Sequence, residues 1–297
     1  MNKNNIAGFA GAILAAVTFG LNPLFALKLY DGGLSAQTVL FYRFGIGAIL
    51  IAGMMLFKKA AFTFSRRNFI HLLIAGTCLM GTSIGLFLSF RFMDAGIAST
   101  ILFTYPVMVT VIMAVFFKEK ISFILITSMV LSLAGILIMC NPSAGVKMDI
   151  RGILLALLSA AVYAIYMVLI KESRLKHMQS ETITFYAMLF SLPYFLIFGG
   201  KLNIPFSNLS IILNLLGLAL FPAFLSFYFL AIGLKHIGAT KTAILGALEP
   251  LTAVCIGVFI YGEKFTWQLA IGIILIFTSV MLVIFSDNPK STPSKTE

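Results

Sequence analysis

Ten apolar runs, each near twenty residues long, divide the chain almost end to end: 6–27, 36–57, 69–90, 97–117, 121–140, 151–170, 182–200, 209–232, 240–261 and 266–285. A helix rises about 1.5 Å per residue, so about 20 apolar residues cross the ~30 Å hydrocarbon core of a bilayer. Lipid cannot pair with exposed backbone, so each crossing must satisfy its own N–H and C=O groups as a helix. The pattern predicts an all-α polytopic membrane protein of ten transmembrane helices. With 60% hydrophobic and only 10% charged residues, the 297-residue chain lies far from soluble globules, which carry about 25% charged residues. The first run follows only Met-Asn-Lys-Asn-Asn without a cleavage pattern, which predicts a retained helix. The polar tail at 286–297, rich in Ser and Pro, reads as disordered and cytoplasmic.

Charge then sets the orientation. The net charge of +11 would point to nucleic acid in a soluble chain, but here the basic residues sit in short loops between apolar runs. They read as topology determinants and lipid contacts, with no nucleic-acid partner. With both termini on one side, that side collects fourteen Lys and Arg and the opposite side six, leaving Arg43 inside a span. Cytoplasmic basic residues fix topology, so the chain is expected in the cell (cytoplasmic, inner) membrane as a multi-pass protein with both termini inside. Cys78, Cys140 and Cys255 lie in apolar runs without CxxC spacing, and read as small core hydrophobes rather than disulfide or metal ligands.

An internal repeat follows at an offset of 144: Pro106 falls on Pro250, Glu119-Lys120 on Glu263-Lys264, and Phe41-Tyr42 on Phe185-Tyr186. The implied units are residues 1–145 and 146–285, five helices each. Five is odd, so the second unit enters the membrane from the other side, as an inverted repeat about an axis in the membrane plane. That architecture places a solute site near the midplane between halves and opens it alternately to each face.

The repeat has diverged where chemistry is expected. Arg43 faces Ala187 at its partner position, and Glu249 faces Tyr105. An ionisable group at membrane depth is costly unless it faces a bundle interior or a wet cavity, which marks Glu249 as a functional residue. Pro250 directly after it removes a backbone donor, and Gly246, Ala253 and Gly257 place small residues on the same helix face. Arg43 can hold a substrate carboxylate through its planar fork, while Glu249 pairs with an amine or carries a proton. A direct Arg43–Glu249 ion pair is the structural alternative. Asn22-Pro23 interrupts span one, and Tyr42, Tyr105, Tyr163 and Tyr166 are further lining candidates, each equally readable as core or interfacial tyrosine. Pro23, Pro106 and Pro250 mark expected helix breaks, and Pro193 and Pro222 expected kinks. The glycines Gly76, Gly81 and Gly85 are expected to support close helix packing. Glu119 and Glu263, each just before Ser122 or Thr266 and a new apolar run, read as turn and capping residues.

No HExxH, GxSxG or GxxxxGK[ST] sequence appears, so neither an enzyme, a metal site, a cofactor nor ATP-driven transport is indicated. The segment AGIASTILFTYPVMV with Phe-Lys-Glu-Lys after it, Arg43-Phe44 in span two, and GALEPLTAVCIGVFIYGEK resemble the EamA family of the drug/metabolite transporter superfamily, over about residues 6–285. The resemblance implies a ten-helix carrier with a central cavity for amino acids and similar small metabolites. At the turn before Glu119 the family commonly carries glycine, as Gly262 does in the second half, where this chain has Lys118.

The resulting expectation is a secondary active transporter exporting small organic metabolites, amino acids or derivatives first among them, with proton coupling through Glu249 as the working hypothesis. A carrier of nucleotide-linked or phosphorylated solutes would require several interior Lys or Arg. A non-transporting membrane sensor would be expected to carry a soluble domain.

Overall fold

The computed structural model describes residues 3–89, 92–93, 98, 101–139, 149–199, 208–260 and 265–285. These form α1 (Lys3–Gly20), α2 (Asn22–Asp31), α3 (Ala36–Phe57), α4 (Arg66–Ser89), α5 (Tyr105–Phe117), α6 (Phe123–Met139), α7 (Ile150–Glu172), α8 (Ser180–Gly199), α9 (Leu209–Leu218), α10 (Ser226–Ile237), α11 (Ala239–Leu245), α12 (Leu248–Phe259) and α13 (Trp267–Phe285). A 3₁₀ turn spans Arg174–His177 and a π-helical segment spans Ala219–Leu225. Among the described residues there is no strand. The tail 286–297 and four of the six basic residues assigned to the side opposite the termini, Arg91, Lys147, Lys201 and Lys264, lie outside the described residues.

Apart from short turns, all ten apolar runs are helical where described, and among the described residues seven helical stretches are long and apolar enough to cross a membrane. The others are shorter for local reasons. Span four enters through residues 101–102, turns at Phe103 and Thr104, and continues as α5. Span nine is split in the same place, with α11 and α12 joined through Gly246 and Ala247. Offset by 144 residues, these two turns fall within one residue of each other, so both halves break the same helix at nearly the same level. Span one breaks at Leu21, where Pro23 falls in the first turn of α2 and its missing N–H goes unneeded.

The packing follows the inverted repeat. Span two lies on span seven, four on nine and five on ten, while one on eight and three on six exchange under the pseudo-two-fold. Close approach in these pairs depends on small residues, as in helix association within lipid. A Cβ added at Gly76 of span three would stand 2.7 Å from the Phe190 Cβ of span seven. In the pairing of spans five and ten, a Cβ at Gly135 would stand 2.9 Å from the Gly272 carbonyl, while Ser279 Oγ donates to the Ser128 carbonyl at 2.7 Å. Gly135 and Ser279 are themselves 144 apart, as are Ser128 and Gly272. The helix crossing is therefore built twice from one pattern.

Large apolar side chains point outward over the whole barrel of helices, among them Ile49, Phe57, Phe123 and Ile197, each more than 70% exposed. In water such a surface would aggregate, whereas in a bilayer it faces lipid. Caps seat the helices: Ser35, Asp149 and Asn208 accept from the backbone N–H of Thr38, Arg151 and Ser210. Ser122 accepts from Leu125 and Thr266 from Leu269, caps just after the turns where Glu119 and Glu263 read as turn and capping residues; Glu263 lies outside the described residues.

Candidate functional site

Arg43 sits on the inner face of α3 and is 3% exposed. Its guanidinium is held on three sides. One Nη donates to the Pro222 carbonyl at 2.8 Å, the other reaches Asn22 Oδ1 at 3.5 Å, and the plane lies 5.3 Å from the Phe19 ring and 5.4 Å from the Phe44 ring. Only the first is a strong hydrogen bond by distance. The Nε–H is buried and has no acceptor among the described residues. An orphaned buried donor on a guanidinium costs free energy, and sites that bind anions or carboxylates are where such a donor finds a partner.

The π register leaves the Pro222 carbonyl without its α-helical donor, because the Ser226 N–H bonds to the Phe221 and Ala223 carbonyls instead. A proline within a helix lacks the N–H and presses its ring on the carbonyl four residues earlier, so span eight relaxes into the π-helical segment Ala219–Leu225. Arg43 docks on the carbonyl of that segment. Arg43 belongs to the first half and Pro222 to the second, so the bond ties the halves together at the bundle centre.

From Arg43 an aromatic wall runs to the other side of the site. Phe19 and Phe44 each meet Phe227, at 6.2 and 6.0 Å between ring centroids, and Phe227 meets Tyr166 edge-on at 6.2 Å. Tyr166 stacks on Tyr163 at 6.2 Å, Tyr163 meets Tyr105 edge-on at 4.8 Å, and Phe103 closes the row at 5.4 Å from Tyr105. These spacings suit edge and offset aromatic contact. Tyr105, Tyr163 and Tyr166 are buried, and none of their hydroxyls makes a hydrogen bond among the described residues.

Glu249 lies in the first turn of α12, directly after the helix break, and is half-buried. Its backbone N–H donates to the Gly246 carbonyl at 2.9 Å. The carboxylate is close enough to Tyr105, Tyr163 and Arg43 to interact electrostatically with all three. Among the described residues the salt bridge is Lys58–Glu181, so Arg43 and Glu249 do not form a direct pair. Between them stands the tyrosine row. Counting about 1.5 Å per residue from the ends of the helices on the face where α1 begins, Arg43, Tyr105, Tyr163 and Glu249 lie about 14–21 Å deep, near the midplane of a ~30 Å core.

Of the candidates read from sequence, Arg43, Asn22, Tyr105, Tyr163, Tyr166 and Glu249 converge on this region. Tyr42 does not join them. It lies one residue from Arg43 and so about 100° round the helix, where it lines an apolar groove with Phe41, Gly45, Ile49 and Leu189 between spans two and seven. Pro106 is buried at the start of α5 and Pro250 follows Glu249 in α12, each just past its helix break. The side chains of Pro23, Ala253 and Gly257 lie outside the described residues. Sequence reading missed Phe19, Phe44 and Phe227, which look like ordinary core phenylalanines, and the π-helical segment, for which Pro222 was the available signal. It also missed the role of Gly246. Any side chain there would collide with the Tyr105 hydroxyl, so Tyr105 of the first half seats its phenol in the break of span nine.

Comparison with known proteins agrees with this architecture. The model of the EamA-like transporter family matches residues 6–141 and 150–285, one match for each half. An uncharacterized transporter of Archaeoglobus fulgidus is 31% identical over 193 residues, 64% of this chain and 67% of its own. Another, from Clostridium kluyveri, is 24% identical over 300 residues, 97% of this chain and 96% of its own. A protein solved by crystallography superposes with a TM-score of 0.83 at 16% identity, covering 96% of this chain and 98% of its own, a likeness of fold. The two family matches, the paired helix breaks and the midplane cluster of charge and tyrosine place this chain in the EamA-like transporter family, within the drug/metabolite transporter superfamily.

Proposed function

We propose that the protein exports small organic metabolites by alternating access, as a secondary active transporter, with amino acids and their derivatives as the leading class. The observation that carries this reading is the buried Arg43 Nε–H without an acceptor, set across a tyrosine wall from a carboxylate with which it forms no pair. A zwitterion would answer both charges once the site opens. Its carboxylate takes the unsatisfied Nε edge of the guanidinium, its ammonium approaches Glu249, and its side chain lies on the tyrosine rings. Arg43 comes from one half and Glu249 from the other, so a solute spanning both would bias how the halves sit, which alternating access requires.

Proton coupling through Glu249 extends the proposal, since a carboxylate within a bundle is a common proton carrier. The basic bias of the loops orients both termini to the cytoplasm of the cell membrane.

The test is exchange by the purified protein in liposomes loaded with mixed amino acids and other metabolites, comparing wild type with Arg43→Gln and Glu249→Gln. Exchange of a labelled amino acid that is lost in Arg43→Gln and loses its pH dependence in Glu249→Gln supports the reading. Exchange confined to phosphorylated solutes would move the protein to that class of carriers. Folded protein that exchanges nothing would leave the sensor reading.

A further inference from the structure

On the face where α1 begins, the link between spans two and three, residues 58–65, lies against the start of span seven. Four contacts hold it, and each joins the first half of the chain to the second. Lys58 Nζ pairs with Glu181 Oε1 at 3.0 Å and donates to the Tyr228 hydroxyl of span eight at 2.9 Å. Thr182 Oγ1 donates to the Ala61 carbonyl at 3.0 Å, and the Tyr186 hydroxyl donates to the Phe62 carbonyl. Rings close the remaining space: Phe62 meets Phe185 at 5.6 Å, and Phe64 meets Tyr186 at 4.6 Å, both edge-on.

A structural account covers part of this. Acidic residues at a helix start are favoured by its dipole, and an exposed ion pair adds little by itself. That account does not explain why two side chains one turn apart on α8 are spent on successive carbonyls of a link in the other half. Nor does it explain the sequence. Thr182, Phe185 and Tyr186 recur 144 residues earlier as Thr38, Phe41 and Tyr42, at the start of span two. The pattern T-x-x-F-Y thus opens the pseudo-symmetric helix in each half, and in span seven it performs this binding.

We infer that Lys58, the backbone of Ala61 and Phe62, Glu181, Thr182, Tyr186 and Tyr228 form a latch that closes the central site toward the face where α1 begins, and that this latch must release for a solute to reach or leave Arg43 and Glu249 from that face. The inference rests on the transport reading above. At the depth of Arg43, Phe44 of span two stacks on Phe195 of span seven at 5.6 Å, both fully buried, and Phe227 packs beside Phe44, so spans two and seven are in contact at the level of the site as well as at the latch. Opening must separate spans two and seven here. The bonds to be broken join side chains to one another or to loop carbonyls, not groups within any helix, so helices can move apart as rigid bodies.

The experiment uses full-length protein with Cys78, Cys140 and Cys255 replaced by alanine and a reporter Tyr163→Cys at the site. Labelling by a membrane-impermeant maleimide is measured from each face in oriented vesicles. Removing the latch with Lys58→Ala and Thr182→Val should raise the labelling rate from the latch face about tenfold, the shift expected for losing two or three hydrogen bonds of modest strength. Glu181→Gln, a milder change, should raise it less. A Lys58→Cys, Glu181→Cys pair joined by a short bifunctional thiol reagent, before the reporter is exposed by reducing a protecting disulfide, should suppress labelling from that face alone. An unchanged rate in both open variants, with protein shown monodisperse, would overturn the inference, as would suppression that is equal from both faces. The readout needs no transported solute, so altered labelling without exchange rejects the transport reading while keeping the latch. Exchange with unaltered labelling does the reverse.

Discussion

The Arg43 guanidinium donates to the Pro222 carbonyl at 2.8 Å, a bond that crosses from the first half of the chain into the π-helical segment of the second. One Nη is thereby committed to structure, while the buried Nε–H has no acceptor among the described residues. The two tasks require a rigid planar group with donors on more than one edge, and lysine does not have one.

Arg43→Lys is therefore expected to fold, keep one contact and fail at the other. Exchange in liposomes should fall at least about tenfold, as expected when a bidentate or forked contact is reduced to a point charge. The thermal midpoint should move far less than in Arg43→Ala, which leaves the Pro222 carbonyl without its donor and a void among Phe19 and Phe44. Exchange at the wild-type rate in Arg43→Lys would remove the guanidinium from the binding site.

Gly246 and Tyr105 offer a second test. A Cβ at Gly246 would overlap the Tyr105 hydroxyl and lie 2.9 Å from the Ala243 carbonyl. Gly246→Ala should cost about 1–3 kcal/mol, the usual penalty for overpacking. Adding Tyr105→Phe removes the oxygen in the way and should recover part of that loss, measured as coupling in a double-mutant cycle of thermal unfolding in detergent. Strictly additive losses would show that Tyr105 does not seat in the helix break.

Lys118 caps α5 with φ 54° and ψ 31°, in the left-handed region, and the Glu119 N–H behind it donates to the Met113 carbonyl at 3.1 Å. This is a helix-ending turn that favours glycine, because a Cβ there meets the following carbonyl. Lys118 is exposed and makes no other demand on the position. Lys118→Gly should raise stability by about 1 kcal/mol. A lower thermal midpoint in the variant would show that the lysine side chain has a role the turn geometry does not reveal.

That lysine also shows what the sequence could and could not disclose. Lys118 stood out as a departure from glycine before the Glu119 turn, and the backbone supplies the reason glycine belongs there. Spans, their number and the two-half repeat were legible because membrane helices need long apolar runs, and because a proline leaves its mark wherever helix breaks recur, at Pro106 and Pro250. Arg43 and Glu249 were legible because charge inside a span is costly. Tyr42 was misplaced for want of an angle. A list of residues on span two does not say that Tyr42 faces a groove toward span seven while Arg43 faces Pro222. The Lys58–Glu181 contact joins positions 123 apart, and no local pattern of apolar residues signals such a pairing. The aromatic wall was hidden for the opposite reason, since 29 phenylalanines in one chain give none of them distinction.

Lys58 supplies the last prediction, on pH. The Tyr228 hydroxyl, then the Glu181 carboxylate, stabilise its ammonium and hold its pKa above the ordinary lysine value. A group raised in the folded state contributes stability that is fully present below its unfolded pKa, about 10.4 for lysine, and is lost as pH rises through the higher folded value. The Lys58 contact therefore stays intact across the neutral range and weakens only in strong alkali. The stability difference between wild type and Lys58→Met should be flat from about pH 6 to 9 and shrink above about pH 10.5. Because that side chain is nearly half exposed, salt should shrink the difference as well. It follows that pH dependence of exchange near neutrality, if Glu249 is its source, should survive in Lys58→Met and vanish in Glu249→Gln. Loss of that dependence in Lys58→Met instead would move the proton-sensitive step from the central carboxylate to the latch.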